Sequence, residues 1–114
     1  MKFQKSLLMS KRDEYENKKQ SLELSIDQQN SEFNISKSEK VRLDKEISYW
    51  SEETRIAKNL FEIGSISKLE WKNKEKELMN ATKQRDANDL KSVQITQKIA
   101  ELQQQIDALT AKQE

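Results

Sequence analysis

The chain has 114 residues, 36% charged and 33% hydrophobic, with 21 Lys and Arg against 20 Asp and Glu and a mean hydropathy of -1.04. Such a composition is too polar for a compact globular core, while the regular spacing of its apolar residues separates it from simple disorder; an extended all-α coiled coil remains. Histidine and cysteine do not occur, so the usual general base, thiolate nucleophile, disulfides and zinc ligands are lacking, and no catalytic, cofactor or metal site is expected.

The first predicted helix runs from residue 1 to about 33. Leu8, Tyr15 and Leu22 recur every seven residues, and Ile26 and Phe33 continue at seven on a shifted phase. Helix 1 is therefore not expected to carry one uniform stripe. Glu14 and Lys18 stand four apart in the favourable order, an ion pair worth about 0.3 kcal/mol on a solvated face. Leu7, Leu8 and Met9 lack the length and cleavage site of a signal peptide. No stretch in the chain approaches the ~20 apolar residues of a membrane span. The basic pairs Lys11, Arg12 and Lys18, Lys19 are diluted by Asp13, Glu14 and Glu16, and a net charge of +1 gives little attraction for nucleic acid. The mixed signs of the polar face also argue against a helix lying on a membrane.

A break or kink is expected at residues 34–36. Ser36 and Glu39 have the spacing of a capping box, although Lys40 stands where its hydrophobic staple needs an apolar residue. The second predicted helix then covers about 37–62. Leu43, Ile47, Trp50, Ala57 and Phe61 keep a four-and-three rhythm, with Thr54 filling the missing position.

The only glycine of a chain without proline, Gly64, follows. It marks a turn at 63–66, because glycine takes the left-handed conformation beyond a helix end without side-chain cost. Ser67 reads as the N-cap of a third helix, 67–114, with Glu70 completing a capping box and Ile66 and Trp71 at the two staple positions. In that helix Trp71 and Leu78 start a seven-residue repeat, the phase is expected to slip between Arg85 and Val93 as at a stutter, and Ile95, Ile99, Leu102, Ile106 and Leu109 form a clear seam. Glu70 and Lys74 repeat the favourable ion-pair spacing. Trp50 and Trp71 read as seam residues near the turn. The expected fold is a long antiparallel coiled-coil hairpin, with three helices if the chain breaks near 34–36, forming one domain.

The tip of this hairpin reads Leu60-x6-Ser67, which resembles the periplasmic adaptor, or membrane fusion, proteins of bacterial export systems, whose tip motif is Arg-x3-Leu-x6-Ser. Leu60 and Ser67 match the spacing; the arginine position of the motif is occupied by Ile56, and Arg55 stands one residue earlier. The stretches NISKSEKVRLD (34–44) and GSISKLEWKNKEKELMNA (64–81) are similar to the hemolysin D branch, which serves type I secretion. The resemblance covers roughly residues 34–106. The lipoyl, β-barrel and transmembrane parts of that family have no counterpart in this sequence, which begins and ends in mid-helix and reads as a segment of a longer chain.

The resemblance implies a mechanical role in the periplasm. Hairpins of neighbouring adaptors would stand side by side in a ring, joined to an inner-membrane transporter through the other domains, with the tip docking on a TolC-type outer-membrane channel. Arg55, Leu60 and Ser67 would then be the docking residues, Leu60 as an apolar knob and the other two as hydrogen-bonding groups that set register. Leu60 also has a purely structural use, packing across the turn onto Ile66 or Leu69. A second reading is a cytoplasmic coiled-coil scaffold or tether that dimerises in parallel, with Gly64 as a flexible joint.

Overall fold

The computed structural model describes the backbone of residues 2–113 and the side chains of 5–112; the predicted helix ends at 1 and 114 lie outside the described residues. Two helices account for nearly all of it: α1 (Lys2–Glu62) and α2 (Lys68–Gln113). The chain is all-α, and the turn between the helices reverses its direction into an antiparallel hairpin.

No break occurs at 34–36, in contrast to the three-helix reading, and Ser36 is no cap. It lies inside α1 with 2% of its surface exposed. Mid-helix serine usually weakens a helix by bonding to its own backbone. Here the Ser36 hydroxyl donates to Asn88 Oδ1 at 2.9 Å and lies 2.6 Å from the Ser92 hydroxyl, while Asn88 Nδ2 donates to the Ser36 carbonyl oxygen at 2.8 Å. The side chain is satisfied across the helix pair and leaves the α1 ladder intact. Glu39, the expected box partner, instead receives hydrogen bonds from Arg42 on its own helix.

Two compact units make up the fold. One is Asn34–Val93, the hairpin end with the turn. Its seam buries Leu43, Ala57 and Ala81, with Ile47, Trp50, Thr54, Phe61, Trp71 and Leu78 half-buried beside them. The other unit pairs the α1 residues up to Phe33 with the α2 residues from Gln94 on. Ile95, Leu102 and Ile106 are buried there, and the Tyr15 hydroxyl lies 3.4 Å from the Thr110 hydroxyl across the pair. Each buried Leu or Ile contributes about 1.5–3 kcal/mol.

The seam runs at strict heptad spacing in both helices, where the sequence suggests phase shifts. Along α1 the protected positions at heptad spacing include Tyr15, Leu22, Gln29, Ser36, Leu43, Trp50 and Ala57, with Lys19, Ile26, Phe33, Ile47, Thr54 and Phe61 four residues beyond each of these except Ser36. Ile26 and Phe33 thus belong to the same stripe as Leu22; they are its alternate layer. Leu8 fits the spacing but is 68% exposed. Along α2 the protected series is Trp71, Leu78, Arg85, Ser92, Ile99 and Ile106, interleaved with Lys74, Ala81, Asn88, Ile95, Leu102 and Leu109. No phase slip occurs between Arg85 and Val93. Arg85, Asn88 and Ser92 occupy the seam, while Val93, the apolar residue that suggests a slip, is 53% exposed.

Ser36, Asn88 and Ser92 form a hydrogen-bonded polar layer inside the seam. Such a layer fixes register, since sliding either helix by a heptad leaves buried donors and acceptors unmatched. Replacing Asn88 with Ala removes the amide that bridges the Ser36 hydroxyl and carbonyl, leaves that hydroxyl to Ser92, and is expected to cost about 1 kcal/mol, read as a lower urea midpoint; an unchanged midpoint removes the layer's role.

Candidate functional site

The turn is built by backbone hydrogen bonds. The Ser65 amide donates to the Leu60 carbonyl at 2.8 Å and the Gly64 amide to the Phe61 carbonyl at 3.0 Å, the paired closure that satisfies the last carbonyls of a helix. It requires a left-handed residue, and Gly64 supplies it with φ of 78°. Beyond the turn, the Glu70 amide donates to Ser67 Oγ at 3.1 Å, so Ser67 is the N-cap of α2. The reverse arm of the capping box, from the Ser67 amide to the Glu70 carboxylate, is not made among the described residues.

Trp71 takes its place by stacking on Phe61 of α1, with ring centroids 5.2 Å apart and planes inclined by 21°. The Lys72 ammonium lies 4.3 Å from the Trp71 ring centre, and its Nζ is 3.0 Å from Glu75. Ile66 is half-buried at the turn. Lys74 does not pair with Glu70. It reaches across to Glu53 at 3.6 Å and lies 5.5 Å from the centre of the Trp50 ring. Nor is the Glu14–Lys18 pair formed. Interhelical partners win at Lys74 because the Glu53 carboxylate and the Trp50 ring face it together.

The three predicted docking residues stand in different situations. Leu60 is half-buried, and Ser67 is exposed with its hydroxyl oxygen engaged as the cap. Arg55 is exposed and held on its own helix, donating through Nε to Glu52 at 3.1 Å. Ile56, at the arginine position of the resembled motif, keeps 40% of its surface exposed.

Two further apolar residues mark this end of the molecule, Ile63 at 74% and Leu69 at 69% exposure. Of the two packing partners considered for Leu60, Ile66 is half-buried and Leu69 largely exposed. Ile63 and Leu69 were legible as off-register: each lies two positions from a seam residue, Phe61 and Trp71, where the heptad rhythm calls for three or four. Ile56, Ile63 and Leu69 are each exposed, with carboxylates and ammonium groups close by in sequence. Among the described residues no group of carboxylates is arranged to hold a metal ion, and no helix is long and apolar enough to cross a membrane.

Comparison with protein-family models, curated proteins and solved structures finds no match.

The Arg55 guanidinium holds Glu52 below its ordinary value of 4.5 by donating to the charged carboxylate, and Arg55 is raised in turn. A depressed carboxylate pKa means that the pairing contributes above the ordinary value and is lost as pH falls through and below it. Carbon NMR of the Glu52 carboxyl is expected to show its titration midpoint moving up in Arg55→Gln; an unmoved midpoint shows that the pair does not persist in solution.

Proposed function

We propose that the chain is the helical hairpin of a periplasmic adaptor serving type I secretion or efflux, and that its tip docks on a TolC-type outer-membrane channel. The observation that carries this reading is the placement of Leu60 and Ser67 on either side of a closed hairpin turn, with Ile63 and Leu69 exposed around them. A tip of this kind offers apolar knobs to a groove between helices, and the Ser67 proton stays free while its oxygen caps α2. The parent protein is then periplasmic and anchored at the inner membrane, and this segment reaches the transporter only through other domains.

No observation favours the parallel scaffold. A parallel dimer needs Leu43, Ala57, Ala81 and their neighbours to meet their own copies, and in the hairpin these residues are buried within one chain.

The test replaces Leu60 with Asp and, separately, Ser67 with Asp in the parent protein. Aspartate keeps the N-cap at 67, so the second variant adds charge at the tip without removing the start of α2. Export is expected to fall by at least about tenfold in each, the scale of one lost apolar or hydrogen-bonding contact, with unchanged helical circular dichroism. Normal export by both variants overturns the docking role.

A further inference from the structure

The face of α1 turned away from the seam carries a pattern of its own. Ile35, Arg42, Tyr49, Ile56 and Ile63 recur at intervals of seven, and Ser38, Lys45, Glu52 and Asn59 follow the first four of them by three residues. All nine positions are exposed, Ile35 to 66% and Tyr49 to 55%. Alternating steps of three and four are the spacing of a helix-packing seam. A merely solvated face gives no reason for large apolar residues to return at that interval.

We infer that this stripe packs against the same stripe of a second copy of the chain, antiparallel, about a two-fold axis at Tyr49. The order of residues along the stripe carries the assignment. Turned end for end about Tyr49, Ile35 faces Ile63 of the second copy and Arg42 faces Ile56, while Ser38 and Lys45 stand one residue, about 1.5 Å along the axis, from Asn59 and Glu52. A parallel alignment instead sets Arg42 on Arg42, Lys45 on Lys45 and Glu52 on Glu52, three like-charge layers with only Tyr49 among them.

The charges within one chain are disposed for this contact. Arg42 is held by Glu39 and Glu46 of its own helix, so its head group is satisfied and its alkyl stem is left to cover an isoleucine. Lys45 has no ion-pair partner among the described residues, and in the antiparallel pairing Glu52 of the other copy supplies one. Each contact occurs twice, as an isologous two-fold interface requires. The stripe covers 28 residue steps, about 42 Å at helical rise. The inference stands apart from the adaptor reading and competes with it at one point, since the dimer covers Ile63 at the tip.

Because the chain has no cysteine, single introduced cysteines report the pairing directly. Tyr49→Cys, on the axis, is expected to form a disulfide with its own copy under mild oxidation. Ile35→Cys and Ile63→Cys are each expected to remain largely unlinked alone and to cross-link when mixed. In sedimentation equilibrium, Lys45→Glu is expected to raise the dimer dissociation constant at least about tenfold, and adding Glu52→Lys is expected to restore it. All of these residues are exposed, so the variants leave the seam untouched. A chain that stays monomeric at about 1 mM, the weak end of specific association, overturns the proposal; so do single cysteines that cross-link equally well at 35, 49 and 63, the mark of parallel pairing.

Discussion

The fold depends on one backbone conformation. With φ of 78° at Gly64, the amides of Gly64 and Ser65 close onto the carbonyls of Phe61 and Leu60, and the chain turns back on itself. Everything that follows is a consequence of that reversal. A chain this polar cannot bury enough surface as an isolated helix, where most stability has to come from packing. Reversal presents α2 to α1 at no cost of association, and the two weak stripes become one seam. No neighbouring atom lies within 4 Å of where a Cβ at residue 64 would stand, so the demand for glycine is one of dihedral angle and not of space.

Register follows from a second constraint, the polar layer of Ser36, Asn88 and Ser92. The apolar residues alone specify register loosely, because the seam is thinly populated and includes two alanines, Ala57 and Ala81, at buried positions. The hydrogen bonds between Ser36 and Asn88 need one alignment. The turn sets where the helices start to pair, and the polar layer agrees with it some 28 residues back along α1, which is the consistency between local and global preference expected of a well-specified fold.

The hairpin, its turn, the Ser67 cap and the clear C-terminal seam could all be read from the residues, since glycine dihedrals, capping side chains and apolar periodicity act locally. The continuity of the seam could not. Ser36, Arg85, Asn88 and Ser92 hold seam positions while Ile35 and Val93 lie outside, so a reading keyed to apolar residues finds a break at 34–36 and a slip after Arg85. Both come from equating seam with apolar. Ser36, Asn88 and Ser92 enter the seam because they find one another across the two helices, and that pairing is tertiary information. At the tip the situation was similar: the roles of Gly64 and Ser67 were legible, whereas the stacking of Trp71 on Phe61 and the hold of Glu52 on Arg55 depend on side-chain choices among several available partners.

The most direct test of the account is the distance between spin labels on cysteines introduced at Ser48 and Asn80, measured by pulsed electron resonance in chain diluted with unlabelled protein. Both sites are exposed and belong to the unit that contains the turn. A chain closed at Gly64 predicts a separation on the order of the ~10 Å between packed helices plus the label arms. A separation near the ~48 Å that 32 residues of uninterrupted helix would span contradicts the reversal, and with it the seam, the polar layer and the tip.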